Sequence, residues 1–218
     1  MPELTIRSHN VSYATAGGGE PVILLHGGGS SGRQWNSLTA TIETQSLCYA
    51  PDLFGHGASS AWTTKEGSLL ADYAAIVEAI DALNGEPFHL VGHSHGGAVA
   101  IAYATGNPNT LSSLTLIAPT LMHLLRVSNS PAWPEAEELG SKHIDAYAQL
   151  DVPTLLIRGT RTRATAREII SLLHDFLPNS RLVEIEGAGH MAPLTHAFNV
   201  NEAIANHLVR HRHSAVIE

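Results

Sequence analysis

The chain has 218 residues, 44% hydrophobic, 15% charged and 6% aromatic, a composition that suits one large domain burying roughly 70% of the surface its unfolded chain exposes and excludes disorder, collagen and coiled coil. Its 12 Lys and Arg against 20 Asp and Glu leave a charge of −8 with no basic run, which excludes a nucleic-acid backbone or an anionic membrane as partner. One cysteine, Cys48, forms neither an internal disulfide nor a zinc finger.

Met1–Arg7 carries no basic-then-apolar signal, and no apolar run reaches the ~18 residues of a membrane span, so a cytoplasmic protein is expected. Leu4–Arg7 and Val11–Thr15 read as two short strands, closed by Gly17-Gly18-Gly19. Val22–Leu25 is continuously apolar, as a strand buried on both faces would be, and stops at His26-Gly27-Gly28-Gly29. A helix is expected over Arg33–Glu43, a strand over Leu47–Ala50, and a helix over Leu69–Leu83, where Leu70, Tyr73, Ala74, Val77, Ile80, Ala82 and Leu83 recur at helical spacing. The strand Phe88–Val91 precedes a small-residue helix over Ala98–Ala104. Strands at Leu114–Ile117, Val152–Ile157 and Arg181–Ile185 follow, with helical patterns at Ala166–Phe176 and Val200–Val209. This βα alternation predicts a mainly parallel, doubly wound α/β sheet in a single domain over residues 1–218.

Three loops carry chemistry. Gly92-His93-Ser94-His95-Gly96 joins a strand to a helix. A turn that sharp needs glycines beside the serine, and it lifts Oγ to a helix N-terminus, where N–H groups favour developing negative charge. His26-Gly27-Gly28-Gly29 follows another strand and can supply a second backbone N–H to an oxyanion; the donors are expected from Gly28 and His95. Gly187-Ala188-Gly189-His190-Met191-Ala192-Pro193 follows the last strand, and its histidine can reach Ser94 as general base.

Together these loops resemble the α/β-hydrolase superfamily, in its serine esterase, haloperoxidase and carbon–carbon hydrolase branch. Pro51-Asp52-Leu53-Phe54-Gly55-His56-Gly57 extends the likeness. The resemblance implies Ser94 as nucleophile, His190 as base, and Gly28 and His95 as oxyanion donors. Relatives that cleave carbon–halogen bonds or epoxides carry Asp in place of Ser94.

The resemblance also implies an acid after strand seven, where this chain reads Gly159-Thr160-Arg161-Thr162-Arg163, with Thr162 in the acid's place. The alternative position, after strand six, falls near Ala118. Other carboxylates have plainer roles: Asp52 shapes its loop, Glu168 faces solvent, and Glu184 and Glu186 alternate on an edge strand. Glu135, Glu137, Glu138 and Asp145 lie in the connection between strands six and seven. Three readings stay open: a Ser–His dyad, a triad with a displaced acid, or a hydrolase-like fold that binds a small hydrophobic ligand without efficient catalysis.

In the family that connection holds a cap; here residues 120–151 allow at most two short helices at ~1.5 Å per residue. A reduced cap opens the pocket to water, which favours hydrolysis of a small carboxylic ester or thioester over chemistry that needs a dry cavity. Alcohol or peroxide as acceptor stays open. Leu121–Leu125 then either leaves an exposed apolar patch, through which a homodimer is expected and which light scattering that finds only monomer would remove, or packs against its own sheet. There is no dinucleotide or Walker pattern, and His93, His95 and His190 match no metal spacing, so neither cofactor nor metal is expected.

Overall fold

A computed structural model describes residues 1–6, 8–61, 69–121, 124 and 144–212. Eight strands form one sheet: β1 (Glu3–Ile6), β2 (His9–Gly17), β3 (Glu20–Leu25), β4 (Ser46–Pro51), β5 (Phe88–His93), β6 (Leu111–Ile117), β7 (Thr154–Gly159) and β8 (Ser180–Ile185). The helices are α1 (Asn36–Ile42), α2 (Leu69–Asn84), α3 (His95–Gly106), α4 (Ala164–Phe176), α5 (Ala192–Thr195) and α6 (Ala197–Arg210). The spatial order is β1-β2-β4-β3-β5-β6-β7-β8. The β1/β2 and β2/β4 pairs are antiparallel, and every later pair is parallel.

Side-chain alternation divides the core between the two faces. Ile23, Leu25, Leu90, Leu114, Leu116 and Leu156 pack with α2, α3 and α4. Val22, Leu24, Val91, Leu155 and Ile157 pack with α1 and α6. The central strands β5 and β6 are buried throughout, as parallel strands covered by helices on both faces are.

From β3 the chain crosses to β4 on one side, then returns through α2 to β5 on the other. That reversal opens a crevice beyond the carboxyl ends of β3 and β5, the place where open α/β sheets bind ligands. The register sets Leu25 beside Gly92, so the loops that follow these two strands leave the sheet side by side.

Two helices differ from expectation. The segment expected as one helix over Arg33–Glu43 divides into a 3-10 turn, Gly32–Trp35, and α1. Trp35, fully buried, sits at the junction at φ −96°, ψ 2°, off the α region. The helix expected from Ala98 begins at His95, directly after the serine. Gly96 permits this, because its backbone lies against the carbonyls of Leu25 and His26.

Leu121 and Leu124 are buried in the large core of their own chain. Met122, His123, Leu125, Glu135, Glu137 and Glu138 lie outside the described residues, as does most of the expected cap segment; its end, residues 144–148, is helical, with Asp145 exposed.

Candidate active site

Ser94 occupies the turn between β5 and α3 at φ 54°, ψ −112°, a conformation that costs a non-glycine residue about 1–3 kcal/mol. The surroundings hold it there. Its N–H donates to Ile117 O at 2.8 Å, and its carbonyl accepts from Gly97, Ala98 and Thr120 N–H. A Cβ on Gly92 would sit 2.7 Å from Gly97 Cα, and one on Gly96 2.6 Å from His26 O. Glycine is therefore required on both sides of the turn, for contact and not only for backbone freedom.

His190 reaches this turn from the loop after β8. Its Nε2 lies 2.9 Å from Ser94 Oγ. That loop is laced to the one after β7: Gly187 N–H donates to Thr160 Oγ1 at 2.9 Å, and Arg161 N–H to Ala188 O at 2.9 Å. It is also tied from beneath, because His93 Nε2 lies 2.9 Å from the His190 carbonyl and donates to it. They are 97 positions apart in sequence, and only the sheet brings these two histidines together, their rings 5.2 Å apart. Burial pushes the His93 ring down to about 4, so it is neutral at pH 7.

The glycine loop is held just as tightly. Gly27 N–H donates to Gln34 Oε1 at 3.1 Å, and Gly29 N–H to His56 Nε2 at 3.2 Å. The amide between them, Gly28, makes no such bond among the described residues. Gly28 lies directly against the start of α3, since a Cβ there would meet His95 Cβ at 3.9 Å. His26 is fully buried; its Nδ1 donates to Gly27 O at 2.7 Å and its Nε2 accepts from Leu53 N–H at 3.0 Å. Burial holds its pKa down at about 4. Asp52 takes the loop-shaping role expected of it, accepting from Gly32 N–H at 2.7 Å and Ala58 N–H at 2.8 Å.

Neither expected acid position holds an acid. Ala118 is buried at φ 41°, and Thr162 is buried with an unpartnered Oγ1. Among the described residues no carboxylate bonds to His190. Burial lowers the His190 pKa, and the Arg163 guanidinium lowers it further. A cation thus lowers the basicity of His190, where a triad's anion would raise it. Glu184 pairs with Arg158 at 2.8 Å and Glu168 is exposed on α4, so both are committed elsewhere. Among the described residues no group of three or more His, Cys, Asp or Glu is arranged to hold a metal.

A sequence signature described as the alpha/beta hydrolase fold matches residues 20–144, more than half of the chain. The chain belongs to the α/β hydrolase fold family. The Lipase LipV of Mycobacterium tuberculosis is 32% identical over 146 residues, covering 62% of this chain and 54% of that protein. The pimeloyl-[acyl-carrier protein] methyl ester esterase of Chromobacterium violaceum is 31% identical over 140 residues, covering 64% of this chain and 50% of that protein. Against several curated relatives, this member of the family spans only about half of their length. A thermophilic esterase from Thermogutta terrifontis shares the fold at TM-score 0.79 and 19% identity, over 97% of this chain and 99% of that one.

The sequence brought Ser94, His190, Gly28 and His95 forward, and the structure gathers all four at one crevice. His93 as the anchor of the His190 loop, Gln34 and His56 as holders of the glycine loop, and Arg163 beside His190 were not anticipated. His93, His56 and Arg163 act on residues far away in sequence, so no local motif marks them; Gln34 acts on Gly27, 7 positions away.

Proposed function

We propose that this chain is a serine hydrolase that cleaves a small carboxylic ester or thioester through an acyl-Ser94 intermediate. The observation that carries this reading is the 2.9 Å contact between Ser94 Oγ and His190 Nε2 at a strained strand-to-helix turn. Ser94 Oγ attacks the carbonyl carbon as its proton passes to His190 Nε2. The carbonyl oxygen becomes an oxyanion held by the N–H groups of Gly28 and His95, at the N-terminus of α3. Collapse breaks the bond to the leaving group, which takes the proton from Nε2. Water then repeats the sequence: His190 removes its proton, the hydroxide attacks the acyl carbon, and Ser94 Oγ leaves with the proton.

Lowered basicity keeps His190 neutral and able to accept a proton at pH 7. The imidazolium that follows has no carboxylate partner among the described residues. In the serine-protease example, loss of that partner costs about 10⁴ in kcat while a measurable enzyme remains. Slow but serine-dependent turnover is the expected behaviour.

The test is hydrolysis of p-nitrophenyl acetate and butyrate by the native chain, Ser94→Ala and His190→Ala. Both substitutions should remove a rate well above background. Three equally slow proteins would instead favour the ligand-binding reading. A cytoplasmic setting remains part of the proposal, supported by a buried unpaired Cys48 and by the described residues, which include no helix long and apolar enough to cross a membrane. Pairing through Leu121–Leu125 also remains a proposal, on a narrower base now that Leu121 and Leu124 are buried in their own chain.

A further inference from the structure

A pocket of about 510 Å³ opens on the side of His190 that faces the loop after β7. It is lined by Arg161, Thr162, Arg163, Thr165, Ala166 and His190. Three features of this wall favour an anion. Arg161 and Arg163 are exposed, and among the described residues neither guanidinium has a carboxylate partner. The 13-residue helix α4 begins here with no side-chain cap and no acid in its first turn, so its N–H groups and dipole face the pocket uncompensated. Thr162 is only 5% exposed, yet its Oγ1 has no hydrogen-bond partner, and a buried hydroxyl left so costs free energy that a bound acceptor would recover.

His190 supplies a fourth feature. Its Nε2 is committed to Ser94. Accepting the serine proton there requires the neutral ring to carry its hydrogen on Nδ1, and that donor has no acceptor among the described residues.

We propose that this pocket binds a carboxylate, and that the ester substrate itself carries it, so that the bound anion stands in for the missing acid beside His190. This rests on the hydrolase reading above. The carboxylate is held by the Arg163 and Arg161 forks and the first turn of α4, and it accepts from Thr162 Oγ1 and His190 Nδ1. Planar, bidentate recognition is what guanidinium groups offer a carboxylate. No bond to the anion forms or breaks: it reverses the local charge that Arg163 imposes and stabilises the imidazolium while the Ser94 proton rests on Nε2. The substrate class is the half-ester of a short dicarboxylic acid, with the ester carbonyl at Ser94 and the free carboxylate in the pocket.

Two experiments separate the site from the activity. Ser94→Ala protein with ¹⁵N-labelled histidine is titrated with sodium formate at constant ionic strength, with sodium chloride as reference. The His190 ring signals should shift saturably with formate alone, and Arg163→Ala in the same background should weaken binding about tenfold or more. No saturable shift, or one unchanged by Arg163→Ala, overturns the site; a carboxylate of this chain already in the pocket would give the first result. Next, monoethyl glutarate is compared with ethyl pentanoate, of equal acyl length, by pH-stat. The native chain should favour the charged ester by about tenfold or more in kcat/KM, and Arg163→Ala should remove that preference. Equal rates, or a preference for the neutral ester, overturn the claim that the substrate carries the anion. If neither ester is cleaved, the claim that the substrate carries the anion falls, the hydrolase reading stands or falls on the p-nitrophenyl esters, and the formate titration still decides the site.

Discussion

Lowering the pH from 7.5 to 5 should cost this protein a large part of its stability, through three buried histidines. His26, His93 and His207 are 0%, 1% and 4% exposed, and burial lowers each from 6.5 to about 4. His26 shows the reason in its bonds. With Nδ1 donating to Gly27 O and Nε2 accepting from Leu53 N–H, a second proton would set two donors against each other and part the glycine loop from the loop after β4. Because the folded pKa lies below the unfolded one, the stability from neutral burial is complete above 6.5. It drains away as the pH falls towards 4. At pH 5 each ring loses about 2 kcal/mol, and the three together about 6, against a total of roughly 5–15 for a domain of this kind. Urea unfolding followed by circular dichroism at pH 7.5 and 5 measures the difference directly. His207 lies away from the serine, donating to Pro153 O at 3.3 Å, so His207→Gln should recover about 2 kcal/mol of the loss without touching the site. Unfolding free energies within about 1 kcal/mol of each other at the two pH values would refute the reasoning.

Other consequences concern the crevice at Ser94. The kcat/KM for a neutral ester should rise with pH along a limb whose midpoint lies below 6.5, because burial and Arg163 both favour neutral His190; Arg163→Ala should move that midpoint upward, and an unmoved limb would separate Arg163 from the base. Gly96→Ala puts a methyl 2.6 Å from His26 O, forcing α3 away from β3. Esterase activity should vanish, and thermal unfolding should show a loss of about 1–3 kcal/mol; a variant with native melting and native turnover would show that the contact is not required.

Much of this site could be read locally. The apolar run Val22–Leu25 ending in glycines, the serine between Gly92 and Gly96, and the histidine among Gly187 and Gly189 each state a turn and a residue to be presented by it. Backbone sterics act within a few residues, so such signals survive without any knowledge of the fold. The order of strands was legible only as alternation. That β4 lies outside β3 while β5 lies inside it, which creates the crevice, is a matter of sheet assembly. Helix limits were blurred at Trp35 and His95, where packing against β3 and β4 overrode periodicity.

What the sequence alone determined is which groups are available: a serine, a histidine, two glycine loops, and no acid at Ala118 or Thr162. Tertiary structure decided what each group faces. Parallel register set Leu25 beside Gly92 and so the glycine loop beside the serine turn. Crossing 97 residues, it hung the His190 carbonyl on His93, and it brought Arg163 close enough to lower the basicity of His190. Hydrogen bonds and charges act over a few ångströms of space whatever the separation in chain. The empty acid position could therefore be seen in the letters, but the arginine-lined pocket beside His190 could be seen only in the fold.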